Sequence, residues 1–173
     1  TETVRLSLVA GTAGIILVLL FMICFYGLLG LVADVALLIY TLLVIGSLVL
    51  FRGVLTLPGV AGLILGIGMA VDANIIIFER IKDEMRSGKG IRSALTAGFD
   101  RAYITILDSN ITTLIIAGVL SYFGTGAVKG FAVTLTISIL VSMFSALFVS
   151  RTLLEIWVDK SPDKFLTKYA VRG

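Results

Sequence analysis

A run of 46 residues near the start of the chain, residues 6–51, contains a single charged side chain, Asp34. As one helix this run would measure roughly 69 Å at about 1.5 Å per residue, which is about twice the thickness of the hydrocarbon core of a bilayer. The run must therefore fold back on itself. Gly27 and Gly30 predict the position of the turn, because glycine accepts backbone conformations that other residues avoid.

The composition of the chain is typical of a membrane protein. Hydrophobic residues make up 58% and charged residues 14% of the sequence, and the mean hydropathy is +1.11. A typical soluble domain has about a quarter charged residues. The single cysteine, Cys24, excludes a disulfide within the chain, and the absence of histidine leaves carboxylates as the groups for proton chemistry. We expect an all-α membrane protein with no metal site and no cofactor.

Proline, glycine and polar residues divide the chain into five predicted membrane-spanning helices. Leu57-Pro58-Gly59 opens the third helix, since a proline in the first turn loses no hydrogen bond. A short amphipathic segment, IRSALTAGF, precedes the fourth helix, and GTGAVKG separates the fourth from the fifth. The predicted spans are residues 4–26, 31–51, 58–85, 101–123 and 130–156, in a bundle of residues 1–156 that is followed by a basic tail, residues 157–173.

Lysine and arginine are distributed unequally between the two ends of these spans, which predicts the orientation. The positive-inside rule places the basic side in the cytoplasm, so the N-terminus is expected outside and the C-terminus inside. The net charge of +3 therefore fits membrane topology, and we expect the lipid bilayer, not nucleic acid, as a partner. Eleven basic residues lie on the predicted cytoplasmic side, Arg80, Lys82, Arg86, Lys89, Arg92, Arg101, Arg151, Lys160, Lys164, Lys168 and Arg172, against Arg5, Arg52 and Lys129 on the other.

The beginning of the sequence predicts a further upstream segment. Thr1 stands where an intact chain has methionine, and no basic segment with a cleavage site precedes the first apolar run. A chain that starts outside without a signal sequence needs an upstream span or an exported domain. We therefore expect five helices of a larger membrane unit.

An ionisable side chain interrupts the apolar part of the third helix, in the stretch GIGMAVDANIIIFERIKDE. Asp72 lies about 10 Å from the predicted cytoplasmic end at Glu79, and a carboxylate at the centre of a membrane helix costs about 2.5–3.5 kcal/mol. Two interpretations follow. Asp72 is a structural acid, neutral and hydrogen-bonded to Asn110 or a hydroxyl, or it is a proton site, because a low dielectric favours the protonated form of a carboxyl until a path to water opens.

The motif Asp-x-Asn occurs at similar depth on the third and fourth helices. Asp72 and Asn74 form the first pair and Asp108 and Asn110 the second, and Thr112 shares a helical face with Asp108. Residues i and i+2 lie about 200° apart on a helix, so each asparagine faces a different neighbour from its aspartate. We expect Asn74, Asn110 and Thr112 in a polar layer, with Asp108 either a second proton-transfer group or a partner across the interface.

The third helix has two further faces of interest. Gly59, Gly62 and Gly66 form a ridge of small residues, the pattern that lets helices approach closely in lipid. On a different face, Glu79 and Asp83 continue the column of Asp72 towards the cytoplasm and are candidate proton-transfer groups.

Polar residues on the second and fifth helices have simpler interpretations. Asp34, in the first turn of the predicted second helix, is expected to cap the free N–H groups there. The hydroxyl stripe of the fifth helix is expected to pack rather than to line a water file. The stripe consists of Thr134, Ser138, Ser142 and Ser145.

Three long motifs carry a resemblance to a known family: LPGVAGLILGIGMAVDANIIIFERIKDEM, DSNITTLI and FGTGAVKGFAVTLTISILVSMF. Together they resemble the membrane half of SecD, a family of bacterial protein-export subunits, over residues 4–154. The run V-D-A-N followed by I-F-E-R-I is similar to SecD rather than to its partner SecF. The part of the family that these residues resemble does not include its first transmembrane helix or its exported domain.

The resemblance implies a function in the Sec protein-export machinery. It implies a six-helix unit of the resistance-nodulation-division superfamily in the bacterial inner membrane, which uses the proton gradient and works with SecF, the SecY channel and exported unfolded polypeptide. The proton-carrying aspartate of the family corresponds to Asp72, whereas Asn74, Asp108 and Asn110 match motif positions without so clear a role. We expect a proton to load Asp72 from the outer side and to leave past Glu79 and Asp83.

Three other functions compete with this one. A passive assembly module would only hold SecF near the channel, and a small-molecule exporter of the same superfamily would have the same physics. An intramembrane aspartyl protease would use two carboxyls at equal depth, but those enzymes carry Tyr-Asp and Gly-x-Gly-Asp, whereas Val71 precedes Asp72 and Leu107 precedes Asp108 here. We therefore expect no enzymatic activity.

Overall fold

The computed structural model of the chain describes residues 2–50 and 56–160, which are helical apart from short connections. The predicted end of the second span at Phe51, and the predicted basic tail from residue 161 onwards, lie outside the described residues. The helices are α1 (Glu2–Tyr26), α2 (Leu28–Leu50), α3 (Leu57–Arg86), α4 (Ile91–Phe123), α5 (Ala127–Phe144) and α6 (Ser150–Lys160), with a π-helical turn, Ser145–Val149, between α5 and α6.

Among the described residues, five helical segments are long and apolar enough to cross a membrane, which confirms the predicted all-α class and number of spans. The fifth segment runs through α5, the π-helical turn and α6 as one span, Ala127–Lys160. Gly27 and Gly30 make the hairpin between α1 and α2. Gly27 has a φ of 55°, and any side chain at Gly30 would collide with the backbone carbonyl of Met22.

The α3 helix has a capped beginning and a glycine at its end. The Oγ1 atom of Thr56 accepts a hydrogen bond from the backbone N–H of Gly59 at 3.1 Å, and Pro58 lies in the first turn. At the other end the Ser87 backbone N–H donates to the carbonyl of Asp83, and Gly88 adopts a φ of 88°. These are the start and stop signals expected of helix termini.

The α4 helix begins ten residues earlier than predicted, at Ile91 rather than at residue 101. The segment IRSALTAGF is thus the first part of α4 and not a separate element. Ala94, Leu95 and Phe99 are buried and continue the helical stripe. Gly98 lies within α4 and allows this helix to pack closely on α3. A Cβ at this position would lie 2.8 Å from the backbone nitrogen and Cα of Ile81 on α3.

The α3 helix lies at the centre of the bundle and packs most extensively on α5 and α4. Its glycine ridge faces α5: a Cβ at Gly62 would lie 3.3 Å from Phe131, and a Cβ at Gly59 would lie 3.3 Å from Thr134 Oγ1. The hydroxyl stripe of the fifth span is buried in this region. The ridge and the stripe therefore pack within the chain, as small residues do between membrane helices.

Asp34 does not occupy the predicted capping position. The α2 helix begins at Leu28, so Asp34 lies beyond its first turn, which contains no acidic residue. The prediction was wrong because the hairpin turn at Gly27 is tighter than the four-residue corner expected from the sequence. Asp34 is partly buried instead.

Candidate functional site

A small groove between α3 and α4 contains the one acidic side chain that the sequence places deep in the third span. The groove has a volume of about 120 Å³. Its walls are apolar on the α3 side apart from Asp72, and more polar on the α4 side. It is lined by Met69, Asp72, Ala73 and Ile76 from α3 and by Ile106, Ser109, Asn110 and Thr113 from α4.

Asp72 is exposed at the edge of this groove. Within residues 2–50 and 56–160 its carboxylate makes no hydrogen bond and no ion pair. The next two residues of α3, Ala73 and Asn74, are only 5% and 2% exposed. Asp72 therefore lies on the side of α3 that faces away from its buried face. Asp72 is therefore available to water, to a partner or to the groups across the groove.

The polar side chains of α4 in the groove are tied to their own helix. Asn110 donates from Nδ2 to the carbonyl of Ile106 at 2.8 Å, Ser109 donates to the same carbonyl at 3.0 Å, and Thr113 donates to the carbonyl of Ser109 at 3.2 Å. These bonds use the hydroxyl donors of Ser109 and Thr113 and one of the two N–H donors of Asn110, and they leave lone pairs on the side-chain oxygens. A protonated Asp72 thus faces a wall of potential acceptors, and an ionised Asp72 faces a wall with few free donors.

The structure brings Asp72 together with Asn110 but not with Asn74. Asn74 points to the opposite side of α3, where it donates from Nδ2 to the carbonyl of Ala70 at 3.0 Å and accepts from Ser150 on α6. The sequence motif therefore does not form a single polar layer, because its two asparagines contact different helices.

Asp108 and Thr112 lie outside the groove and are exposed. Thr112 donates from Oγ1 to the backbone carbonyl of Asp108 at 3.2 Å. The two aspartates of the repeated motif are thus separated: Asp72 lines the groove and Asp108 does not. The depth in the membrane that the sequence predicts for the two aspartates could not distinguish them, because it does not specify the direction in which a side chain points around the helix axis.

Glu79 and Asp83, the two acids that continue the Asp72 column, both pair with basic residues one turn later. Glu79 Oε1 lies 3.0 Å from Lys82 Nζ, and Asp83 Oδ1 lies 3.5 Å from Arg86 Nη1. Lys82 also places Nζ 4.3 Å from the centre of the Tyr26 ring at the end of α1. A proton that leaves Asp72 along this face would therefore meet carboxylates balanced by cations.

Glu84 is the polar residue whose position the sequence did not reveal. Its side chain is only 3% exposed and contacts Lys89 Nζ at 2.5 Å and Arg101 Nη1 at 2.7 Å. A signal existed, because Glu84 follows the buried Ile77 and Ile81 at helical spacing. The ion pairs join the last turn of α3 to the connection that follows it and to Arg101, ten residues into α4.

Within the described part of the chain, five apolar spans with α3 at their centre, and a carboxylate at a narrow groove on α3, define a multi-pass membrane protein with an ionisable side chain in its third span. Within the described ranges no group of three or more His, Cys, Asp or Glu side chains is arranged to hold a metal ion.

Comparison with known proteins identifies the family. Residues 2–160 match the family described as "Protein export membrane protein SecD/SecF, C-terminal", and the chain belongs to it. The chain is 53% identical to the protein translocase subunit SecD of Synechocystis, over 93% of this chain and 34% of that protein. It is 55% identical to the SecD subunit of Acidaminococcus fermentans, over 91% of this chain and 38% of that protein. The resemblance predicted from the motifs is confirmed.

A solved structure has the same fold. The crystal structure of SecDF from Thermus thermophilus, described as a translocon-associated membrane protein, aligns with a TM-score of 0.89 and 43% identity. The alignment covers 91% of this chain and 22% of that one. The chain thus corresponds to a minor part of its relatives, whose remaining segments are not represented in it.

Proposed function

We propose that this chain is the membrane half of a SecD subunit that uses the proton gradient to promote polypeptide export across the bacterial inner membrane. The proposed partners are SecF and the SecY translocation channel, together with exported polypeptide held by a domain outside this sequence. Support comes from the relatives, which are named protein translocase subunits, and from the SecDF structure, described as translocon-associated.

The observation that supports a proton step is the unpaired carboxylate of Asp72 at the groove. A charge that faced lipid there would cost about 2.5–3.5 kcal/mol at the helix centre. This cost is avoided when the acid is protonated, or when water or another membrane subunit covers the exposed face. We propose that SecF packs on this side of α3 and completes the surroundings of Asp72.

The energy source is the movement of protons through this site. One elementary charge that crosses the membrane releases about 2.3 kcal/mol per 100 mV, which is enough to shift a two-state equilibrium severalfold. In the proposed cycle Asp72 takes a proton from the outer side and releases it towards the cytoplasm past Glu79 and Asp83. The chain itself carries out no covalent chemistry in this cycle.

The decisive experiment compares Asp72→Asn with the wild type in the full-length protein, with the proton gradient present and collapsed. Asparagine keeps the size of the side chain but cannot release a proton. We expect gradient-stimulated export to be lost, with expression and SecF binding unchanged. Asp100→Asn is a matched control, because Asp100 is an exposed aspartate of α4 outside the groove. Normal stimulation in the Asp72 variant would refute the proposal.

The alternative of a passive assembly module rests on the glycine ridge as a surface for SecF. In this structure the ridge is occupied by α5 of the same chain, so that Gly62 contacts Phe131. Bulky substitutions on the ridge are therefore expected to damage the fold and not a complex. A protease is also unsupported, because Asp72 and Asp108 do not share the groove.

A further inference from the structure

A buried hydrogen bond joins α3 to the beginning of α6. Ser150 Oγ donates to Asn74 Oδ1 at 2.5 Å, across 76 positions of sequence. Asn74 is 2% exposed and Ser150 is 0% exposed. The Nδ2 atom of Asn74 also donates to the carbonyl of Ala70. This second bond fixes the orientation of the amide, so the link to α6 has a single geometry.

Ser150 is the first residue after the π-helical turn, Ser145–Val149. The other end of the turn is tied as well, because Ser145 Oγ donates to the carbonyl of Ala36 on α2 at 3.1 Å. Ser145 is 2% exposed. One serine thus binds each end of the turn to a different neighbouring helix. A π-helical turn holds one residue more per hydrogen-bonded ring than an α-helix and often marks a functional position.

We infer that Asn74 and Ser150 are positioning residues for the proton step at Asp72, and that their hydrogen bond transmits a movement of α3 to the π-helical turn and α6. The inference rests on the proposed function. The proposed function does not say which part of the chain moves when Asp72 gains or loses a proton, and the inference assigns that movement to the π-helical turn and α6.

The geometry of α3 gives the physical reason. Asp72 and Asn74 lie about 200° apart around the helix axis, so they face opposite sides of one rigid element. A rotation of α3 that alters the surroundings of Asp72 at α4 must move Asn74 against Ser150. Since both side chains are buried, breaking the bond leaves polar groups unpaired, and the turn moves with α3 instead.

Substitution of Ser150 tests the inference in the full-length protein. Ser150→Ala is expected to reduce gradient-stimulated export by about fivefold or more per amount of folded protein, with gradient-independent export retained. Asn74→Ala should have a similar effect, and the double variant should lose no more than the worse single variant, because both act through one bond. Ser142→Ala is the matched control, since Ser142 is 1% exposed and donates only to Ile139 of its own helix.

A labelling measurement separates positioning from mere stability. In a Cys24→Ser background with Ile156→Cys on α6, the alkylation rate of the new cysteine is compared before and after Asp72→Asn. We expect Asp72→Asn to change the rate, and Ser150→Ala to abolish that change while the protein remains folded. A response that persists in Ser150→Ala would overturn the inference.

The outcomes distinguish the two proposals. Normal stimulated export in Asp72→Asn would refute the proton function and the inference together. Loss in Asp72→Asn, with stimulation in Ser150→Ala equal to that of Ser142→Ala, would refute the inference alone. A drop in the amount of folded Ser150→Ala protein, with unchanged export per folded molecule, would also refute it, because it would show a purely structural bond.

Discussion

Glu84 on α3 and Arg101 on α4 form an ion pair in which Oε1 lies 2.7 Å from Nη1, with the carboxylate buried and the guanidinium largely exposed. Lys89, in the connection between the two helices, contacts the second carboxylate oxygen. A single buried acid thus holds three parts of the hairpin together. The same two helices form the groove of Asp72, so this ion pair supports the spacing of the groove.

The first prediction concerns the stability that Glu84 provides. Glu84→Gln should lower the midpoint of thermal unfolding in detergent micelles more than Asp83→Asn. Asp83 is the matched control, since it pairs with Arg86 on the same turn but both side chains are at least half exposed. Exposed pairs are worth about 0–1 kcal/mol. Equal shifts of the two midpoints would show that Glu84 is solvated in the folded protein.

The second prediction concerns Gly66 on the ridge. A Cβ at Gly66 would collide with Ser138 Cβ and lie 2.6 Å from the Tyr40 hydroxyl, whereas nothing lies within 4 Å of a Cβ at Gly68. Gly66→Ala should therefore destabilise the fold by about 1–3 kcal/mol. Gly68→Ala should stabilise it by up to about 1 kcal/mol, since alanine is the better helix former.

Unfolding in detergent compares these two glycine variants, and a second substitution checks the contact. Ser138→Gly removes the colliding carbon and should recover part of the stability lost in Gly66→Ala. Failure of Ser138→Gly to recover any, or equal behaviour of Gly66→Ala and Gly68→Ala, would mean that the ridge does not approach α5 as closely as described.

Much of the fold follows from local sequence, because lipid allows few solutions. Long apolar runs must be helices in a membrane, and glycine, proline and polar breaks separate them. The ridge of small residues on α3 could also be predicted from the sequence, since Gly59, Gly62 and Gly66 recur at helical spacing. The start of α4 was misplaced because Gly98 was taken as part of a separate segment, whereas it packs against Ile81.

The contacts of the polar residues could not be predicted in the same way. They depend on which helices pair and in what rotation, and the local periodicity of the sequence does not specify either. Asp72 and Asp108 have the same motif and similar depth, and only the rotation of each helix places one at the groove and the other outside it. The partner of Asn74 is Ser150, 76 residues away and just after a π-helical turn. An extra residue in a helical turn shifts every following side chain, so that contact could not be predicted from a regular helix.

A third prediction concerns the beginning of α3. Thr56→Ala removes the acceptor of the Gly59 N–H bond and should cost about 1 kcal/mol, the usual value of such a cap. Thr56→Ser keeps the hydroxyl and should cost less. Thermal unfolding of the two variants makes the comparison. An equal loss in the two variants would show that the methyl group of Thr56, which lies near Gly130 and is absent from both variants, matters more than the cap.

The last prediction separates the two intramembrane aspartates by function. Asp72→Asn should remove gradient-stimulated export, whereas Asp108→Asn should keep it within about twofold of the wild type. The physical reason is position, since Asp72 lines the groove with Ser109 and Asn110 while Asp108 is exposed outside it. Both substitutions replace an aspartate by its isosteric amide, so each variant controls for the other. Loss of stimulation in both would place Asp108 on the proton path as well, and would mean that water or a partner subunit connects the two carboxyls around the outside of α4.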